Sequence, residues 1–296
     1  MTDTLSEDDF SIPRFDKLRR AFFRFRQSKL SLLGALLVAL VLFFTLFGGM
    51  LAPYPEHVLG GVDTANRFVP PSWAHPFGTN ELGQDVLSLV MGGTTVSVMA
   101  GFGVVLIGSI VGTAVGAVAG FAGGWLDEVL MRLTDLTLTI PGLILAMAIA
   151  AALGPGFANM VIAISLSWWP GYARLVRGEV IAAREEVYVT AARAIGATPA
   201  RILFRHILPN TVSPIIVKMS LDMGFAILTV AGLGFIGIGV RPPTPEWGTL
   251  LSISRSYMPD YWWTAMAPGM AMFIAVFGFN LLGDGLRDVL DPKARR

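Results

Sequence analysis

The chain contains no cysteine and only three histidines, and charged side chains make up 15% of its 296 residues. The missing thiols exclude disulfide staples, thiolate metal sites and thiol catalysis. His57, His75 and His206 are spread along the chain, and neither H-E-x-x-H nor G-x-S-x-G occurs, so no zinc-peptidase or serine-hydrolase pattern is present. None of the four lysines, Lys17, Lys29, Lys218 and Lys293, follows a glycine, whereas a phosphate-cradling P-loop needs a Gly-Lys step. A soluble chain of this length would carry more surface charge. Apolar sequence is abundant instead: 54% of residues are hydrophobic and the mean hydropathy is +0.64. That composition places the chain in a membrane.

About 20 apolar residues are needed to span a bilayer as a helix. Six segments qualify: 30–52, 94–121, 133–153, 158–176, 211–238 and 264–282. An all-α, polytopic protein with six transmembrane helices is therefore expected. The first segment follows a charged stretch and lacks a small-residue cleavage site, which points to a retained helix rather than a signal peptide. The second carries no charge. The third and fifth contain Asp135 and Asp222, and the fourth is short and holds Pro170.

Lys and Arg are distributed unevenly between the two sides. Arg14, Lys17, Arg19, Arg20, Arg24, Arg26 and Lys29 precede the first segment. Arg174, Arg177, Arg184, Arg193, Arg201 and Arg205 follow the fourth, and Arg287, Lys293, Arg295 and Arg296 follow the sixth. Only Arg67, Arg241 and Arg255 fall on the opposite side. The positive-inside rule then puts both termini in the cytoplasm. The expected organisation is a cytoplasmic segment 1–29, a first helix 30–52, an extracytoplasmic segment 53–93, a five-helix core 94–285 and a cytoplasmic tail 286–296. Tyr54, Trp73, Trp247, Tyr257, Tyr261, Trp262 and Trp263 are expected at or beyond the outer interface.

Gly108, Gly112, Gly116 and Gly120 recur every four residues, on one helix face. Such a stripe suits close packing inside a moving core and equally suits ordinary membrane-helix association. Gly232, Gly234, Gly237 and Gly239 do not share a face and read as a bent helix end before Pro242-Pro243. Two charge pairs have helical spacing, Arg132 with Asp135 and Lys218 with Asp222. Asp222 and its neighbour Met223 are the candidates for a translocation path; a purely structural Lys218–Asp222 pair is the other reading.

The hydrophilic stretch 177–210 carries the most information. Good helix formers run from Ile181 to Ile195, with Glu185 and Glu186 early and Arg193 late, as the helix dipole favours. Gly196 can end that helix in a left-handed conformation. Thr198 can cap a second helix with Pro199 at its first position, running to Leu208-Pro209. Ala191 and Ala192 leave the backbone approachable. Glu185, Glu186, Tyr188, Thr190, Ala191, Ala192, Arg193, Gly196 and Ala197 form the candidate docking set for a partner protein. The alternative is an amphipathic hairpin held on the membrane surface by its six arginines; the Ala-Ala, Gly and Leu-Pro register favours docking.

This stretch resembles the E-A-A-x3-G-x9-I-x-L-P loop of ABC importer permeases, with Thr190 in place of Glu and His206 in place of Ile. His75-Pro76-Phe77-Gly78-Thr79-Asn80 through Asp85 is similar to the F-G-T-D-x-x-G-R-D segment of dipeptide/oligopeptide permeases, with Asn80 and Gln84 substituted. Met131-Arg132-x-x-Asp135 with Ile140-Pro141, Pro242-Pro243-Thr244-Pro245-Glu246-Trp247-Gly248, and Asn280 through Lys293 also fit. The resemblance, over nearly the whole chain, is to the C-type permease subunit of the dipeptide/oligopeptide/nickel family. It implies a type I ABC importer permease fold in the inner (plasma) membrane. It also implies a B-type permease, two ABC ATPase subunits and an extracytoplasmic solute-binding protein as partners, besides the lipid membrane. ATP and Mg would be bound on the ATPases, with no cofactor on this chain, no catalytic role of its own and no nucleic-acid partner. Family solutes include dipeptides, oligopeptides, nickel chelates, glutathione, opines and antibiotics. A channel or secondary transporter would explain six spans but not the hairpin, and a membrane enzyme would need a convergent catalytic set.

Overall fold

The structure, a computed structural model, describes residues 25, 26 and 28–290. Most of the N-terminal basic cluster, and Lys293, Arg295 and Arg296, lie outside the described residues. Among the described residues the chain is helical, with no strand and one isolated bridge between Thr79 and Asp85.

Helix α1, Lys29–Leu51, starts where Ser28 accepts a hydrogen bond from the Ser31 N–H at 3.2 Å, a standard N-cap. A short helix α2, Pro55–Val58, and a looped segment lead to α3, Val86–Ala122, which has 37 residues. It begins at Val86 rather than Thr94 because Asp85 caps it, accepting from the N–H and hydroxyl of Ser88 at 2.8 and 2.7 Å. Helices α4, Gly124–Thr139, and α5, Gly142–Leu153, meet at 89°. The third segment is thus broken rather than straight: Pro141 has no N–H to continue α4, and it drives Ile140 into an extended conformation.

Helix α6, Phe157–Arg184, precedes the hydrophilic stretch, which holds α7, Val187–Ala194, and α8, Pro199–Arg201. A π-turn, Ile202–Ile207, joins α8 to α9, Leu208–Ile236. A short α10, Trp247–Ser254, and α11, Trp263–Leu290, complete the chain. Among the described residues four helices are long and apolar enough to cross a membrane: α1, α3, the continuous Pro199–Ile236 and α11; the bent pair α4–α5 makes five. The expected fourth span, α6, has the length but falls short of that apolarity. Met160, Ile164, Tyr172, Val176 and Val180 form a buried face of α6, while Ile162, Leu166 and Arg174 are exposed; a helix buried on one face only need not be apolar all round.

The tightest packing joins α3 to α6. A Cβ at Gly112 would overlap the Trp169 carbonyl, one at Gly116 the Ala173 carbonyl, and one at Gly120 would stand 2.8 Å from the Arg177 carbonyl. The glycine stripe therefore brings two backbones into contact, the close approach that small residues permit in membranes. The first helix joins the last in the same way: Gly34 faces the Leu281–Leu282 backbone and Gly278 faces Leu37.

At the end opposite the hairpin, Gly237 (φ +86°) closes α9, its N–H and that of Ile238 reaching back to Gly234 and Leu233 carbonyls. The chain folds back so that α10 lies on α9, with Gly248 against the Ala231 carbonyl. Glu246 caps α10, accepting from the N–H groups of Gly248 and Thr249 at 2.8 Å each, and its carboxylate takes the Ser97 hydroxyl of α3 at 3.2 Å. Burial pushes the Glu246 carboxyl above its usual range, against the pull of those donors toward the charged form. Trp247 donates to the Val90 carbonyl at 3.1 Å and is 1% exposed. It is a core residue because the fold-back carries it inward, whereas Trp73 is fully exposed.

Replacing Gly116 with Val should push α3 off α6 and cost about 1–3 kcal/mol or more. The yield and thermal midpoint of the purified complex should both fall. Gly49→Ala, at a site with nothing within 4 Å, should leave both unchanged. Equal stability of the two variants would show that the stripe is not a packing interface.

Candidate functional site

The hairpin is built from two arms meeting at Gly196. The helix expected from Ile181 to Ile195 is interrupted: α6 stops at Arg184, and Glu186 is extended (φ −71°, ψ 147°) before α7 begins. Glu186 still lies at a helix N-terminus, where its charge is favourable, but it makes no capping bond. Gly196 has φ +79°, and the N–H groups of Ile195, Gly196 and Ala197 turn back to the carbonyls of Ala191, Arg193 and Ala192. Thr198 then caps α8, accepting from Arg201 N–H at 3.4 Å, with Pro199 at the first position.

The second arm does not stop at Leu208-Pro209. Pro209 cannot donate, and its ring would press on the Arg205 carbonyl in an α-helix. The helix widens there into a π-turn, in which the Leu208 N–H reaches the Leu203 carbonyl, and continues as α9. Pro199 to Ile236 is consequently one 38-residue rod, carrying the hairpin at one end and a membrane-crossing helix beyond it.

Val189 and Ala192 of α7 pack with Ile202, Leu203 and Ile207 of the second arm against Ala117, Val176 and Val180. Ala192 is therefore a packing residue that lets α7 lie close, not a backbone left open to a partner; it is 5% exposed. Glu185, Glu186, Tyr188, Thr190, Ala191, Arg193 and Gly196 are exposed, and Ala197 is half-buried. The same surface presents large apolar side chains absent from the expected set: Val187, Ile195 and Phe204, exposed by 81, 86 and 69%. Their signal in the sequence is apolar residues off the buried stripe of a polar hairpin. An open cleft of about 570 Å³ beside them is lined by Phe121, Arg184, Glu185, Arg193, Ala197, Pro199 and Ile202.

Ion pairs anchor the first arm. Arg177 binds Asp127 through two bonds of 2.6 and 2.7 Å, Arg174 binds Asp135 at 2.6 Å, and Arg184 reaches the Gly120 and Phe121 carbonyls at the end of α3. The expected Arg132–Asp135 pair does not form. Asp135 faces α6 and takes Arg174, while Arg132 lies 3.7 Å from Glu128 on the exposed side of α4. The Lys218–Asp222 pair does form, at 3.0 Å, with the ammonium 4.9 Å from the centre of the Tyr172 ring. Met223 is 6% exposed and packs into the core of this chain.

Comparison with known proteins accounts for this arrangement. Residues 112–296 match the family model of the binding-protein-dependent transport system inner membrane component, and residues 17–71 match the N-terminal TM domain of oligopeptide transport permease C. The chain belongs to this permease family. It is 43% identical over 267 residues to a probable D,D-dipeptide transport system permease of Escherichia coli K12, covering 90% of this chain and 89% of the relative. Identity is 41% over 279 residues to a dipeptide transport permease of Alkalihalophilus pseudofirmus, covering 94% and 90%. A glutathione transport permease of Pectobacterium atrosepticum is 41% identical over 272 residues, covering 92% and 90%. The solved inward-facing MetNI methionine ABC transporter shares the fold, with TM-score 0.53 and 17% identity over 68% of this chain and 96% of that one. The protein is thus a multi-pass permease subunit of an ABC importer in the inner membrane.

Two predictions follow from the geometry of this permease. A Cβ at Gly196 meets nothing within 4 Å among the described residues, so substitution there acts through backbone conformation. Gly196→Val should cost about 1–2 kcal/mol in the left-handed region and reduce uptake per turnover of ATP; Gly196→Asn, which tolerates that region, should keep most of it. Identical uptake by wild type and the Val variant would remove the hinge. For the second, Asp222→Ala strands Lys218 at a cost of roughly 2.5–3.5 kcal/mol and should lower the yield of folded complex, with Lys218→Ala in the same chain restoring part of it. Normal yield with lost uptake in the single variant would instead mark Asp222 as a substrate contact.

Proposed function

We propose that this permease imports dipeptides or similarly small peptides, and that the 177–210 hairpin docks into an ATPase subunit on the cytoplasmic face. The observation that carries the docking assignment is the exposed apolar set Val187, Ile195 and Phe204 beside the Gly196 turn, on a hairpin continuous with α9. Exposed large apolar groups on a polar loop mark a protein contact. The dipeptide and glutathione assignments of the relatives support small peptides as the solute class.

The complete machine, on this reading, contains a B-type permease, two ATPases that bind ATP and Mg, and an extracytoplasmic binding protein that delivers solute. ATP-driven closure of the ATPases displaces the hairpins as rigid bodies. Glu185–Glu186 flexes between α6 and α7, while the rod from Pro199 carries the motion into α9 and alternates access to a central path. Asp222 belongs to that path if its pair with Lys218 opens. The distribution of basic residues supports an orientation with segment 1–29, the hairpin and the tail in the cytoplasm and 53–93 outside.

Two measurements test this proposal. Single cysteines at positions 73 and 193 of the otherwise cysteine-free chain should react from outside and only from inside, respectively. Outside labelling of position 193 in intact cells would overturn the orientation. Uptake of a dipeptide and glutathione panel by the reconstituted transporter should require ATP and the binding protein; uptake of neither class would overturn the solute assignment.

A further inference from the structure

A cavity of about 550 Å³ lies at the end of the fold opposite the hairpin, between α1, α3 and α11. Leu40 and Phe44 of α1, Met91 of α3, and Met266, Met270 and Ile274 of α11 form its walls, and Pro76 and Phe77 of the looped segment roof it. Four side chains in its lining carry a polar group, Thr94, Trp247, Trp262 and Trp263; Trp262 lies half exposed at the rim, and the other three are already committed elsewhere. The Thr94 hydroxyl donates to the Val90 carbonyl at 2.9 Å, the Trp247 indole N–H to the same carbonyl at 3.1 Å, and the Trp263 indole N–H to the Thr79 carbonyl at 3.1 Å. The other lining side chains are hydrocarbon or thioether, and the backbone of the α1, α3 and α11 walls is helical, its N–H and C=O groups bonded internally. A peptide or any other polar solute would lose its water there and find no replacement, at roughly 2–7 kcal/mol per buried polar group. Hydrocarbon alone fits the chemistry.

The size selects among apolar occupants. A helix about 10–12 Å across needs on the order of 500 Å³ per turn, so the cavity has room for about one turn and not for a partner's helix. A single flexible chain fits. Methionines 91, 266 and 270 adapt to such a guest through their unbranched, polarizable side chains. The cavity is also continuous with the apolar surface exposed on the same helices, where Phe43, Phe47 and Phe273 are 47, 45 and 59% exposed. At its rim Trp262 is half exposed, and tryptophan is enriched at the headgroup level of membranes.

We propose that this groove binds one acyl chain of a membrane phospholipid, in the outer leaflet under the orientation given above. The occupant ties α1, the helix that leans on α11 through Gly34 and Gly278, to the wall formed by α3. The inference rests on the chain spanning a membrane and not on the solute or on the hairpin's partner.

The test uses the complete transporter in nanodiscs that contain a phospholipid with a photoactivatable group in one acyl chain. After exchange into unlabelled lipid and illumination, label should remain on Met91, Met266 and Met270 and disappear from Phe47 and Phe273, which meet only exchanging lipid. Filling the groove with Ala267→Phe and Ala271→Phe should reduce the retained label on the order of tenfold, because the guest's apolar burial is lost. If that double variant fails to assemble, the wild-type pattern decides alone. Equal loss of label from all five positions would reduce the groove to ordinary bilayer contact and overturn the proposal. Absence of label from the groove together with cross-linking of a cysteine at position 91 to the second permease would overturn it in favour of a protein side chain.

Discussion

The backbone contact between α3 and α6 is the constraint on which the other arrangements depend. Gly112, Gly116 and Gly120 bring α3 against the carbonyls of Trp169, Ala173 and Arg177, closer than any side chain would allow. In lipid no hydrophobic force drives two apolar helices together, so close dispersion contact has to do it. Once α6 is fixed along that stripe, its basic end is brought beside Asp127 and Asp135 of α4 and the carbonyl end of α3. The three arginines then find their partners without further rearrangement. The ion pairs are consequences of the glycine register, since one added methyl at Gly116 would separate the helices that bear them.

From this anchor the hairpin acquires two unequal arms. The first is joined to α6 across an extended Glu186. The second passes through a π-turn into α9 with no break. Pro209 is tolerated inside a long helix because widening by one residue removes the clash and the demand for its missing N–H together. An arm joined through a non-helical residue and a continuous arm meet at a left-handed glycine. On the proposed reading, the hairpin's exposed apolar tip is the surface on which an ATPase subunit would push, and the continuous arm would carry the displacement toward the membrane.

The opposite end of the molecule is organised by a buried carboxylate. Glu246 caps α10, receives the Ser97 hydroxyl from α3 and lies against Gly234 of α9. Three elements meet on one side chain whose desolvation is offset by several donors. The short α10 is thereby held within the helical bundle and Trp247 is buried. The groove between α1, α3 and α11 opens next to that tryptophan, so the same fold-back that seals the core on one side shapes an apolar recess on the other.

Composition and local pattern determined the membrane class, the helical content, the glycine stripe, the Thr198-Pro199 cap, the left-handed Gly196 and the Lys218–Asp222 pair. Each of these depends on residues within one helical turn or on bulk apolarity, and neighbours in sequence suffice to specify them. The tertiary structure decided the features for which local rules offered more than one partner or none. Asp135 had Arg132 within a turn, yet its side chain points across to Arg174, because the glycine stripe of α3 holds α6 beside α4. Ala191 and Ala192 are identical in sequence terms and differ only in which one faces Ile202 and Leu203. Trp247 carries the composition of an interface residue and is buried because Gly237 and Glu246 turn its segment inward. Val187, Ile195 and Phe204 became a recognisable surface only when the buried stripe of the hairpin was known, since exposure is a property of what surrounds a residue and not of the residue itself.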